Sequence, residues 1–440
     1  PGAFLSAINS YASRKGNLPI YLLIDEYDNF TNTILSTYGT EYYQKATHGE
    51  GFVRGFFNVI KAATTGTGSA LQRMFITGVS PVTMDDVTSG FNIGTNITTD
   101  PWFNDLVGFS EAELREMLTY YKEQGVLMQT VDETIVMMKP NYDNYCFSEE
   151  KLAQCMFNSD MALYFMKSFV LHHVKPKEIV DPNIRTDFNK LAYLIRLDHG
   201  LGENFSVIKE IAEQGEITTD IATHFSALEM TDVRNFKSLL FYFGLLSIKG
   251  VDMVGRPILH VPNLVVREQL FSFLIQGYIK HDIFKIDMNR MTMLFENMAF
   301  RGDWKPLFNF IAEAIREQSR IREYIEGEAH IKGFLLAYLG MYRYYQLYPE
   351  YELNKGFADF LFKPSPSVPV MPPLTYLLEV KYAKAGASEK EIRALADEAR
   401  EQLLRYSQDE LVAEAKAKGG LKLITIVWCS WELVLLEEVL

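Results

Sequence analysis

Cysteine is scarce in the 440-residue sequence: three residues, none at CxxC spacing. Cys146, Cys155 and Cys429 therefore point neither to a zinc cluster nor to a disulfide framework, and they fit a reducing cytoplasm. Long apolar runs are also missing. The run Leu239 to Leu246 falls well short of the roughly 18 residues that cross a bilayer and reads as a buried helix segment, so no membrane association is expected. No signal-peptide pattern opens the chain, because Arg14 and Lys15 follow the first apolar stretch instead of preceding it. A basic excess is absent too: 43 Lys and Arg against 56 Asp and Glu give a formal charge of −13. That balance excludes a protein that coats nucleic acid over its whole surface. It leaves room for a local groove, or for carboxylates gathered around a metal ion. Finally, no GxxxxGK[ST] occurs, so the backbone cradle and lysine that hold nucleotide phosphates are lacking.

What is present is globular in character, with 48% hydrophobic and 22% charged residues. The length predicts two or three domains. Near the N-terminus the apolar run Ile20 to Ile24 ends in Asp25-Glu26-Tyr27-Asp28, as a strand buried on both faces of a parallel sheet would. A helix pattern follows, with Phe52, Val53, Phe56, Phe57 and Ile60 on one face, and then a strand from Met74 to Thr77. This βαβ unit places carboxylates where open α/β sheets bind ligands. In a Walker B reading, Asp25 holds Mg²⁺ through water, Glu26 polarises the attacking water and Thr77 senses the γ-phosphate. In the plainer reading, Asp25 and Glu26 end a strand and cap the next helix. A phosphate cradle normally precedes Walker B, so it is expected upstream of Pro1, and ATP binding is expected only where that segment is present.

The middle of the chain reads as helical. Ser110-Glu111-Ala112-Glu113 forms a capping box for a helix to about Tyr121. Short amphipathic helices follow from Lys190, with a strong one over Thr231 to Leu246. A hairpin is then expected from Leu245 to Lys249 and Pro257 to Val261, around Gly250 and Gly255. Helix, helix and hairpin in that order resemble a winged helix, which can act as an ATPase lid, bind DNA or simply pack. The His172-His173 pair has no ligand partner at useful spacing.

The sharpest pattern lies in the last third. Gly356 to Phe362 alternates as a strand that carries Asp359, a Pro-rich loop follows, and Tyr376 to Tyr382 carries Glu379 and Lys381. Strand alternation puts Glu379 and Lys381 on one face, two residues apart. Two acids and a lysine on neighbouring strands suit a hard cation such as Mg²⁺ or Mn²⁺ with an ammonium beside it. After the Ser388-Glu389-Lys390-Glu391 capping box, a helix buries Ile392, Leu395, Ala399, Leu403 and Tyr406. Gln402 on that stripe needs a polar reason to be there, and Glu328, on an earlier helix, could add a metal ligand. The plain alternatives are a turn-side Asp359 and an exposed edge-strand face for Glu379 and Lys381.

These segments together resemble a bacterial and archaeal family in which an AAA-ATPase-like domain precedes a PD-(D/E)XK nuclease-like domain. LLIDEYDNF at 22–30, FITGVSP at 75–81, SGFNI at 89–93 and GFSEAEL at 108–114 resemble its ATPase part. NYDNYCFS at 141–148 is similar to its central motif, with Asn144 and Cys146 in place of the usual glycine and arginine. VPNLVVRE at 261–268 resembles the end of its winged region. GEAH at 327–330, GFADF at 356–360, LLEVKY at 377–382 and QLLRY at 402–406 resemble its nuclease-like part. The resemblance implies a multidomain α/β chain. It would hold a partial P-loop/AAA-like parallel sheet (1–110), a helical winged-helix-like lid (111–285) and a restriction-endonuclease-like α/β domain (286–440). It further implies metal ligation by Glu328, Asp359 and Glu379, catalysis by Asp359, Glu379, Lys381, Gln402 and Glu26, and a nucleotide held by Asp25 and Thr77. The partner would be nucleic acid, DNA in particular, with a homo-oligomer compatible. The alternative is a non-catalytic docking protein built on a degenerate nuclease fold.

Overall fold

The computed structural model describes residues 2–16, 18–64, 71–82, 86, 94–172, 176, 203–280, 286–317, 327–353, 356–365, 368, 370–418 and 420–439. At the N-terminus, α1 (Gly2–Arg14) leads into β1 (Ile20–Ile24), α2 (Asn29–Tyr38), α3 (Thr40–Thr47), α4 (Phe52–Thr64) and β2 (Leu71–Ile76). The two strands run parallel, Leu22 opposite Met74 and Ile24 opposite Ile76. Helix α4 buries Val53, Phe57 and Ile60 against Ile20, Leu22 and Ile24. It covers one face only. Tyr21 and Leu23, on the other parity, are 63% and 76% exposed, so among the described residues β1 is not the strand buried on both faces that its composition suggests. Phe52 likewise points outward. The SGFNI segment lies outside the described residues.

In the middle, α5 (Glu111–Glu123) starts at the expected capping box, with Ser110 Oγ accepting from the Glu113 amide and Glu113 returning to the Ser110 amide. Helix α6 (Val131–Tyr142) repeats the device with Thr130 and Glu133. With α7 (Ser159–His172) these helices enclose a small core of Leu114, Leu118, Ile135, Met138, Tyr142 and Phe165. Asn144 takes φ 75, the left-handed region that glycine and asparagine tolerate best, so asparagine serves where the related motif has glycine. The expected helices over Lys190 to Gly202, and His173, lie outside the described residues. From there α8 (Glu203–Gln214), β3 (Glu216–Thr218), α9 (Val233–Tyr242), β4 (Ser247–Val251) and β5 (Pro257–His260) follow, and the strands form an antiparallel sheet in the order β3-β5-β4. Helix α9 ends at Tyr242 and not at Leu246. Gly244 at φ 70 turns the chain, and the remaining apolar residues feed β4.

The C-terminal part begins with α10 (Leu264–Lys280), α11 (Met288–Arg301), α12 (Lys305–Glu317) and α13 (Glu328–Leu339). Then come β6 (Tyr345–Leu353), β7 (Gly356–Pro364), β8 (Thr375–Ala383), α14 (Glu389–Tyr406), α15 (Glu410–Ala417), β9 (Leu421–Cys429) and β10 (Glu432–Glu438). The five strands are ordered β10-β9-β8-β7-β6, with β8 and β9 parallel and the other pairs antiparallel. A parallel pair requires a crossover, which α14 supplies. Even-numbered residues of β7, β8 and β9 (Phe360, Phe362, Tyr376, Leu378, Ile424, Ile426) enter the largest core together with α11 to α13. Odd-numbered Leu361, Leu377 and Leu423 pack on Leu403 and Tyr406 of α14. The large core also takes in Phe205, Ile208, Phe236 and Leu259, so it runs unbroken from the β3-β5-β4 unit into the five-stranded sheet.

Candidate active site

Strands β7 and β8 pair at Phe362–Tyr376, Leu361–Leu377 and Phe360–Leu378. The next pair in register would be Asp359 and Glu379, and there the backbone ladder stops. Asp359 Oδ2 instead accepts the Val380 amide at 2.6 Å, so a side chain takes over as the strands part. Asp359 and Glu379 thus face each other at the mouth of a fork, on the α14 side of the sheet. Both are nearly inaccessible, at 4% and 2% exposure, which is costly for carboxylates without counter-charges.

The structure supplies two lysines. Lys381 Nζ lies 3.3 Å from Glu379 Oε1 and 3.1 Å from Glu398 Oε1 on α14. Lys332, on α13, is ion-paired with Asp359 and lies 2.8 Å from Glu328 Oε1. Burial raises the Glu379 pKa to about 8, and the neighbouring Asp359 pushes it the same way. Burial works against the charge of both lysines, but their carboxylates outweigh it and hold each above the usual lysine value. Glu379 Oε2 is buried without a hydrogen-bond partner, as are Gln402 Oε1 and Thr425 Oγ1. Thr425 stands opposite Glu379 in the β8–β9 register. Gln402 lies one helical turn beyond Glu398, on the same face of α14.

The residues expected from sequence are therefore distributed as follows. Asp359, Glu379 and Lys381 converge. Glu328 reaches the cluster through the Lys332 ammonium, and the described residues contain no group of three Asp, Glu, His or Cys placed to hold one ion. Two carboxylates remain, and Glu379 Oε2 is buried with no hydrogen-bond partner. That orphaned oxygen is what a hard divalent cation would satisfy, so the residues present fit such an ion. Sequence reasoning missed Lys332 and Glu398. Each stands four residues from a residue already singled out, Lys332 from Glu328 and Glu398 from Gln402, and that spacing was the available signal.

At the N-terminal sheet, Thr77 Oγ1 donates to Asp25 Oδ1, joining the ends of β1 and β2. Glu26 follows at φ 50, a strained backbone for a non-glycine residue, and accepts from Asn29 Nδ2 at 2.9 Å. Asp28, unassigned from sequence, is fully buried and accepts the Val79 and Ser80 amides at 3.0 and 3.1 Å. It thereby fixes the loop after β2.

A fork in a mixed sheet with acid, acid and lysine at its mouth agrees with the sequence comparison: residues 326–438 match the model of the PD-(D/E)XK nuclease superfamily. A PD-(D/E)XK nuclease superfamily domain is thus found at 326–438. Residues 1–88 match the family described as a predicted AAA-ATPase, so an AAA-ATPase-like domain precedes the PD-(D/E)XK domain. No curated protein and no solved structure matches the chain. PD-(D/E)XK nucleases generally use divalent metal ions, in keeping with the open Glu379 oxygen. No helix among the described residues is long and apolar enough to cross a membrane.

Proposed function

We propose that the PD-(D/E)XK domain hydrolyses phosphodiester bonds of nucleic acid, DNA in particular, in a Mg²⁺- or Mn²⁺-dependent reaction. The AAA-like domain would gate or move it. The carrying observation is the opposition of Asp359 and Glu379 at the strand fork, with Glu379 Oε2 buried and unpartnered. Asp359 and Glu379 would hold the ion, with Glu328 joining once Lys332 yields its place. When bound, the metal lowers the pKa of water and offsets charge on the phosphate. Lys381 sits between Glu379 and Glu398. There it can steady the attacking water by hydrogen bonding and neutralise charge on a phosphate oxygen. Gln402, on the same helix face, would orient Lys381 or the phosphate.

In the N-terminal domain, Asp25 and Thr77 are assigned to a nucleotide and its Mg²⁺, and Glu26 to the hydrolytic water. Their use depends on a phosphate cradle absent from these residues, so the chain by itself is expected not to hydrolyse ATP. The α8, β3, α9, β4 and β5 unit is read as a winged helix serving as lid. The boundaries 1–110, 111–285 and 286–440, a cytoplasmic location and self-association complete the reading.

Cleavage of single- and double-stranded DNA and RNA with Mg²⁺ or Mn²⁺ tests it. Glu379→Ala and Lys381→Ala should each abolish cleavage while the melting transition stays cooperative. A second reading, the docking protein, draws on the lysines: Lys332 on Asp359 and Lys381 between two glutamates already give the acids counter-charges. Absence of any cleavage, with an N-terminal phosphate-binding segment supplied, would favour that reading.

A further inference from the structure

Cys146 and Cys155 stand nine residues apart in sequence, yet the fold sets them against each other. Tyr145 and Met156 exchange both backbone hydrogen bonds, at 3.1 and 2.7 Å, as an antiparallel pair. One step along each strand come Cys146 and Cys155, at the position where opposed residues share no ladder bond. There Cα atoms in antiparallel pairs approach to about 4.5 Å, inside the range that a disulfide spans. The two thiols interact, with the Cys146 thiol lowered to about 7 and Cys155 raised above the usual thiol range, Cys155 being the main cause for Cys146. Asn104 holds this hairpin from both sides. Its Oδ1 accepts the Phe147 and Ser148 amides at 2.9 and 3.1 Å, and its Nδ2 donates to the Gln154 carbonyl at 2.9 Å. Cys146 is buried and Cys155 partly exposed, so the Cys155 side of the pair is the one that faces solvent.

We propose that Cys146 and Cys155 form a peroxide-sensitive dithiol that closes to an intramolecular disulfide across this hairpin. The Cys146 thiolate attacks one oxygen of hydrogen peroxide and becomes a sulfenic acid; the departing hydroxide takes up a proton as water. The Cys155 sulfur then displaces the sulfenic hydroxyl, which leaves as a second water with the Cys155 proton. Two thiols are oxidised, one peroxide is reduced, and two waters form. The hairpin lies where the helical region meets the β3-β5-β4 sheet, since the Cys146 carbonyl accepts the Ile248 amide and the Cys146 amide donates to Ser247 Oγ. The bridge would therefore lock that junction. It makes no use of the residues at the strand fork.

The test is treatment of the folded full chain with hydrogen peroxide, then non-reducing peptide mapping and thiol counting. A linked peptide pair carrying Cys146 and Cys155 should appear, and the count should fall from three thiols to one, Cys429 remaining. Cys155→Ala removes the partner that lowers the Cys146 thiol, so the same peroxide dose should leave both of its remaining cysteines as thiols, whereas Cys429→Ala should bridge like the parent chain. A linkage to Cys429, linkage between molecules only, or three intact thiols in the folded protein would each overturn the proposal.

Discussion

At the scale of single residues, the strand fork concentrates charge that water cannot screen. Glu379 is the plainest case, because its folded pKa of about 8 lies above the ordinary glutamate value, burial being the first cause and Asp359 the second. The folded state therefore holds a proton that the unfolded chain releases, and stability falls as pH rises from the unfolded value through the folded one. In metal-free buffer, Glu379→Gln should melt above the parent chain at pH 8, the gap closing towards pH 5. Every tenfold difference in proton affinity between the folded and unfolded chain corresponds to about 1.4 kcal/mol. Thermal melts across that range would show it, and a gap that does not change with pH would refute it. Lys332 should behave in the opposite sense. Lys332→Met strips the buried Asp359 of its cation, and breaking a buried pair in this way costs about 3–5 kcal/mol. If divalent ions bind where Asp359 and Glu379 meet, saturating Mn²⁺ should restore part of that loss in Lys332→Met. Calorimetry should also find the variant binding Mn²⁺ at least as tightly as the parent.

Whole elements are positioned by close contacts at a few places where there is no room for a side chain. Gly340 ends α13, and a β-carbon there would come within 2.3 Å of the Phe271 ring on α10 and 2.8 Å of the Leu336 carbonyl. Helices α10 and α13 approach each other at this point. α13 in turn carries Lys332 to the strand fork. Gly340→Ala should therefore destabilise the fold by about 1–3 kcal/mol through overpacking. It should also shift Lys332 relative to Asp359, so the variant's melting temperature should depend less on Lys332→Met than the parent's does. Additive melting shifts in the double variant would mean the two sites are uncoupled. Gly78 has a similar part at the other end of the chain, where a β-carbon would meet the Tyr27 ring at 2.2 Å. Tyr27 donates to the Ser80 carbonyl at 2.5 Å, so this glycine lets β1 and the loop after β2 close on each other.

For the whole molecule, the decisive feature is a core that ignores the boundary between the middle and the C-terminal part. The even-numbered face of β7, β8 and β9 is covered by α11 to α13, and the same core continues to Phe236 and Leu259. Arg267 ties α10 to β6, donating to the Leu347 carbonyl at 3.1 Å with its guanidinium 5.4 Å from the Tyr348 ring centre. A fragment beginning at Tyr344 would keep all five strands and α14 but expose Phe360, Phe362, Tyr376, Leu378, Ile424 and Ile426. It should bind a hydrophobic dye and aggregate, whereas a fragment from Glu203 onward should fold with a single transition. A soluble, cooperatively melting fragment from Tyr344 would show that the sheet needs no cover from these helices.

Sequence by itself determined the elements whose signals are local. Alternation identified the strands carrying Asp359 and Glu379–Lys381, capping boxes placed α5 and α14, and Gly250 with Gly255 marked the β4–β5 hairpin. It also put Glu379 and Lys381 on one face, because a strand's period of two requires no tertiary information. Only the tertiary structure decided what the charges pair with. Lys332 comes to Asp359 from a helix 27 positions earlier in the numbering, and Glu398 comes to Lys381 from the crossover helix. Ion pairing acts through space between groups whose sequence separation carries no period. The same holds for the opposed Cys146 and Cys155. In each case local propensity was satisfied by more than one arrangement, and packing of distant segments selected among them.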